Sequence, residues 1–156
     1  MIKDVLIVCH ANVCRSPAAE QLFRARFREQ MREHAGQSGK HAGAFHSAGL
    51  RARNGDDMDP VMQRLLAERG VQVGEHRSRR LTPRLVRRAD LVLVTERHQV
   101  SAVERIEPSA RGKVYALGNW ENSDVADPHG LDEVAYRESL ELMDRLVKGW
   151  LSRICQ

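Results

Sequence analysis

Two four-residue apolar blocks stand out against a mostly polar chain. Residues 5–8 (Val-Leu-Ile-Val) and 91–94 (Leu-Val-Leu-Val) are short and bounded by polar neighbours, which predicts strands buried on both faces. Residues 45–48 and 113–117 read as two further strands. Elsewhere the apolar period lengthens. Ser16 and Pro17 look like a helix start, with Ser at the N-cap and Pro at the first helical position. Ala19, Leu22, Phe23, Phe27 and Met31 then recur at helical spacing. Asp59 and Pro60 open a second helix, with Val61, Met62, Leu65 and Leu66 as its inner face and Gly70 as its stop. A long closing helix faces Leu140, Met143, Val147, Trp150 and Leu151 inward. Residues 36–43 hold three glycines among Ser and Lys and read as a surface loop, too short for a domain linker. Strands alternating with helices predict an α/β fold, a parallel sheet with helices on both faces. In such sheets, ligands sit beyond the carboxyl ends of the strands.

The 156 residues fit one domain spanning 1–156. No apolar run approaches the roughly 18–20 residues that cross a bilayer, and no secretory signal opens the chain, so a cytoplasmic protein without membrane insertion is expected. The net charge of +4 comes from arginine, 21 Arg against 4 Lys. Those charges alternate with Glu and Asp along the helices, and aromatics make up only 4%. That leaves little on which to stack bases, so a solvated surface is expected rather than a nucleic-acid site. Cys9, Cys14 and Cys155 make an odd count that suits a reducing compartment. Cys9 and Cys14 lie five apart with no second Cys/His pair at metal-ligand spacing, so no metal is expected. Oligomeric state leaves no mark on the sequence.

The turn after the first strand carries the chemistry. Between Cys9 and Arg15 lie five residues, His10, Ala11, Asn12, Val13 and Cys14, enough to curl around a tetrahedral anion with peptide N–H groups pointing inward. The helix start below adds unpaired donors and the positive end of a dipole. Arg15 can clasp two equatorial oxygens with its planar fork, and a sulfur at the base of such a field is favoured as thiolate, a nucleophile toward bound phosphorus. The Ser16 hydroxyl is close enough in sequence to hydrogen-bond that sulfur. A poor leaving oxygen also needs a proton donor. Asp127, stiffened by Pro128, is the candidate, with Asp124 as its rival and Asp56, Asp57 and Asp59 behind. An ordinary Asp-Pro turn is the alternative for Asp127, and a buried structural thiol is the alternative for Cys9.

With these residues in this order, the chain resembles the low-molecular-weight protein tyrosine phosphatase family from Val5 to Trp150. The resemblance rests on Val8-Cys9 through Cys14-Arg15-Ser16-Pro17, on Ser47-Ala48-Gly49, and on Asp127-Pro128. It implies a four-stranded parallel sheet with the phosphate-binding loop after the first strand. It also implies a two-step reaction without metal or cofactor: Cys9 takes the phosphoryl group while Asp127 protonates the phenolate, then Asp127 activates water against the phosphocysteine. Asn12, Ser16, Ser47 and His76 fall where the family keeps a loop-supporting hydrogen-bond network, and Cys14 where it has a second loop cysteine able to trap Cys9 as a disulfide. Ala110-Arg111-Gly112-Lys113 and Gly118-Asn119-Trp120 resemble bacterial members that act on tyrosine autokinases of capsule and exopolysaccharide export. A phosphotyrosine protein of that kind is therefore the expected partner. Trp120 itself reads either as a partner contact or as core.

Three departures bear on specificity. Ala11 stands where the family usually has Gly; a positive φ there would cost alanine about 1 kcal/mol. His129 stands where an aromatic usually grips the phenyl ring. The 50–54 loop has no Trp or Tyr, leaving Leu50 or an Arg stem for the opposite wall. Arginine phosphatases of the family carry Thr at Val13, and arsenate reductases need mid-chain cysteines where this chain has only Cys155 near its end. A catalytically weak phosphate-binding or redox-sensing module is the alternative outside enzymology.

Overall fold

The computed structural model describes residues 2–33 and 44–155, so the glycine-rich stretch 36–43 lies outside the described residues. Four strands, β1 (Asp4–Cys9), β2 (Ala44–Gly49), β3 (Leu91–Val94) and β4 (Val114–Ala116), form one sheet in the order β2-β1-β3-β4 with every pair parallel. The helices are α1 (Arg15–Glu33), α2 (Pro60–Glu68), α3 (Pro83–Arg88), α4 (Gln99–Ile106) and α5 (Glu133–Ile154).

Strand alternation sorts the apolar residues into two cores. Val5 and Ile7 of β1, with Leu91 and Leu93 of β3, pack with Leu22 and Phe23 of α1, Met62 and Leu66 of α2, and Leu140 and Met143 of α5. Leu6, Val8, Val92 and Val94 belong to the opposite core, with Val86 of α3 and Val103 of α4. Because β1 pairs with β2 on one side and β3 on the other, strand order reverses at β1. Its carboxyl end is therefore the crevice where ligands bind in such sheets.

Asp59 caps α2 as its sequence predicts, accepting from the Val61 and Met62 amides. Ser16 does not cap α1. That helix already begins at Arg15, and Ser16 lies inside it with its hydroxyl turned to Cys9. Helices α3 and α4 are absent from the apolar periodicity because they are short, spanning only Pro83–Arg88 and Gln99–Ile106. Each fully buries one apolar side chain, Val86 and Val103, with Leu85, Val100 and Ile106 partly buried beside them, a pattern confined to one or two turns. Trp120 is exposed, tilted against Trp150 at a ring distance of 5.3 Å with the Arg153 guanidinium 4.0 Å above it, so it dresses the surface of α5 rather than filling the core.

A buried ion pair joins α1 to α5. Both oxygens of Asp144 accept from Arg26, at 2.8 Å each, and Arg69 adds a third bond at 3.1 Å. Burial alone would raise the Asp144 carboxyl; the Arg26 hydrogen bonds override it and hold the group below the usual carboxylate range. Replacing Asp144 by Ala leaves the partly buried Arg26 with only the exposed Glu29 as partner, and we expect a loss of about 3 kcal/mol in denaturant unfolding. The sign with pH follows: a depressed folded-state pKa stabilises fully above the unfolded value, and that stability disappears as pH falls through the folded one. Wild type should therefore lose stability below about pH 4 more steeply than the variant.

Candidate active site

The turn between β1 and α1 is held from outside by its own carbonyls. The oxygen of His10 accepts from the Arg51 amide at 2.9 Å, that of Asn12 from His76 Nε2 at 2.8 Å, that of Val13 from the Asp59 amide at 2.7 Å and that of Cys14 from Ala18 at 3.1 Å. In a trans peptide the next N–H points the opposite way. The amides of Ala11, Val13, Cys14 and Arg15 are thus turned to the concave side, a nest for an anion over the α1 N-terminus. The tight bend falls at Asn12, whose φ is 58°, a left-handed conformation Asn tolerates better than most residues. Among the described non-glycine residues only Asn12 and Asn122 have positive φ, so Ala11 bears no such strain.

Cys9 is buried at the foot of this nest, its Sγ 2.8 Å from the Ser16 hydroxyl and accepting from the Asn12 amide at 3.2 Å. The hydrogen-bond directions can be followed outward. Glu20, nearly buried, takes the Ser47 proton. The Ser47 oxygen then accepts from Asn12 Nδ2, which also donates to Ser16. Asn12 Oδ1 accepts from the Arg79 amide, fixing which end of the amide is which. With Ser16 already an acceptor, its own proton goes to the sulfur at 2.8 Å in preference to the Ala48 carbonyl at 3.5 Å. His76 meets the Asn12 backbone carbonyl rather than either serine. Gly49 closes the rear: a Cβ there would lie 2.8 Å from the His10 oxygen and the Ala52 Cβ, so no other residue lets β2 end against the turn.

Arg15 is 3% exposed. One terminal nitrogen donates to Glu96 Oε2 at 2.8 Å and to the Val125 carbonyl at 2.9 Å, and the other lies 3.9 Å from Asp127 Oδ2. The guanidinium is thereby fixed before any substrate arrives. Asp127 is half exposed, with Oδ1 accepting from the His129 amide at 3.0 Å.

Its rivals are spoken for. Asp124 accepts from the Arg97 backbone N–H and side chain, bonds that hold it below the usual carboxylate range. Asp56 and Asp57 pair with Arg53 and Arg77. Asp59 is buried with both oxygens occupied. Leu50 is half-buried against the second core, and the His129 imidazole bonds Asp59 at 3.0 Å. Cys14 sits in the first core, where burial first, then the neighbouring Asp59, Asp127 and Cys9, push its thiol up and keep it protonated. Among the described residues no group of three or more His, Cys, Asp or Glu is placed to hold a metal ion, and no helix is long and apolar enough to cross a membrane.

Glu96, Glu20, Arg79 and Tyr136 join the site without having been singled out in the sequence. Glu96 had one available signal, its place just past the carboxyl end of β3; the other three are brought in only by folding.

Residues 4–156 match the family model for low molecular weight phosphotyrosine protein phosphatase. The chain is 38% identical to a protein of Ralstonia nicotianae named probable low molecular weight protein-tyrosine-phosphatase EpsP, over 99% of this chain and 97% of that one. Among solved structures it resembles the tyrosine phosphatase AmsI of Erwinia amylovora at 1.57 Å (TM-score 0.86, 31% identity, 98% and 93% of the chains covered). It also resembles the tyrosine phosphatase Wzb of Escherichia coli K30 in complex with sulphate (TM-score 0.86, 28% identity, 99% of each chain covered).

Proposed function

Because the chain belongs to the low molecular weight phosphotyrosine protein phosphatase family, it is a hydrolase of protein phosphotyrosine, and we propose that it works through a phosphocysteine on Cys9. The observation that carries this is the Cys9 sulfur, bonded by Ser16 and the Asn12 amide beneath a nest of inward amides. The sulfur attacks phosphorus while the nest and the free edge of Arg15 hold the equatorial oxygens. The phosphorus–oxygen bond to tyrosine breaks, and Asp127 gives its proton to the departing phenolate. Asp127, now a carboxylate, takes a proton from the water that attacks phosphocysteine. The sulfur leaves as thiolate, eased by the Ser16 proton. His10, Ala11, Val13 and Cys14 complete the phosphate loop, and Asn12, Ser47 and His76 keep its shape.

Leu50 supplies an apolar wall for the phenyl ring, while the His129 imidazole is engaged with Asp59. No aromatic of 50–54 is there to stack, so ring affinity rests on Leu50 and on the stems of neighbouring arginines. The physiological substrate is a phosphotyrosine protein in the cytoplasm, a tyrosine autokinase of exopolysaccharide export. Supporting this are the 110–113 and 118–120 segments and the 38% identity to EpsP.

The apolar side chain of Val13 in the loop favours a flat ring over a phosphoguanidinium. The test is a phosphotyrosyl peptide and a phosphoarginyl peptide assayed side by side, with and without orthovanadate. We expect turnover of the first, inhibited by vanadate at millimolar or lower levels. Preference for phosphoarginine, or indifference to vanadate, would overturn the assignment.

A further inference from the structure

The Asp127 carboxyl is half exposed, and something must hold it where a leaving oxygen will be. The neighbouring bonds show what does. The His129 amide donates to Asp127 Oδ1 at 3.0 Å, and the imidazole of the same residue reaches Asp59 Oδ2 through Nδ1, also at 3.0 Å. Asp59 ties three elements together. Its amide donates to the Val13 carbonyl of the phosphate loop at 2.7 Å, Oδ1 takes two amides at the start of α2, and Oδ2 takes the Tyr136 hydroxyl of α5 at 2.7 Å.

We propose that His129 is a positioning residue for the Asp127 proton donor, anchored to the phosphate loop through the buried carboxylate of Asp59. The inference deepens the reading of Asp127 given above and rests on it. Burial works to raise the Asp59 carboxyl, but bonds from His129, Tyr136 and the Met62 and Val61 amides outweigh it and keep the group ionised. An ionised carboxylate only accepts, so His129 Nδ1 carries the proton and Nε2 is the free nitrogen. Pro128 fixes one torsion between Asp127 and His129. Pinning the imidazole therefore pins the Asp127 backbone, and the His129 amide then selects the carboxyl rotamer. The same Asp59 that steadies the phosphate loop at Val13 thus sets the distance from acid to nucleophile.

Leaving-group dependence separates this role from a wall contact. A dinitrophenolate departs without protonation, whereas phenolate needs the acid. For the full chain, kcat/KM is measured on 2,4-dinitrophenyl, p-nitrophenyl and phenyl phosphate. For His129→Ala we expect phenyl phosphate to fall about tenfold or more and the dinitrophenyl ester by no more than about twofold, since misplacing a catalytic group by about an ångström is enough for such losses. His129→Asn, whose Nδ2–H can reach the place of the Nδ1–H, should recover most of the phenyl rate; His129→Gln should not. In an Asp127→Asn background, His129→Ala should add nothing on phenyl phosphate. Equal losses on all three esters, or an unchanged profile, would overturn the proposal while leaving Asp127 as acid. If Asp127→Asn itself left the profile unchanged, the acid assignment would fall and this inference with it.

Discussion

Cys9→Ser should lose at least about 10^4-fold in turnover of p-nitrophenyl phosphate, while orthovanadate or phosphate still binds. The hydroxyl of serine is far less acidic than a thiol, and a helix N-terminus with two donors does not ionise it. The scaffold around it survives, because the inward amides are aimed by carbonyl bonds to Arg51, His76, Asp59 and Ala18, none of which uses the sulfur. Calorimetry with phosphate against the variant, beside steady-state kinetics, separates the two effects. Retained turnover would mean another nucleophile, and the only neighbouring thiol is a poor one: Cys14 is buried among acids that keep it protonated.

Asp127→Asn should cost about 10^2- to 10^4-fold on phenyl phosphate, the usual range for a general acid. Asp124→Asn should stay within about twofold of wild type. The two residues are three apart in sequence but differently engaged. Asp124 spends one oxygen on two bonds from Arg97 and is held ionised, whereas Asp127 keeps Oδ2 without a hydrogen-bond donor among the described residues, 3.9 Å from Arg15. An acid must carry a proton to give one, and Arg97 denies that to Asp124. Greater damage from Asp124→Asn would reverse the assignment.

Much of this was legible in the chain because it is local. The strands at 5–8 and 91–94 are apolar throughout, and the Asp59 cap acts within three residues of itself. The Cys9-to-Arg15 turn likewise keeps its thiol, bend and cation within seven positions. What escaped is long-range or thinly patterned. Glu96 meets Arg15 across 81 residues and Tyr136 meets Asp59 across 77, and no period or spacing announces either. Asp59 read as a helix cap and a distant rival acid; the cap is there, but the other oxygen is where α5 and the acid loop converge. The local signal at Ser16 misled for a physical reason. A Ser-Pro pair scores as a cap, yet the sulfur seven residues back competes for that hydroxyl. The alanine at 11 raised a question of strain that the bend at Asn12 removes.

Gly49 separates two kinds of change. Beyond it the chain turns into residues 50–54, whose side chains are, apart from Leu50 and Ala52, exposed. On the proposal that Leu50 walls the phenyl ring, exchanges there are expected to change which phosphoesters are admitted and to leave the breaking of the bond alone. A single methyl group at 49 would instead meet the His10 carbonyl and the Ala11 backbone within 3 Å and shift the anion cradle itself. On that proposal, selectivity and reactivity become adjustable independently, on either side of one residue without a side chain.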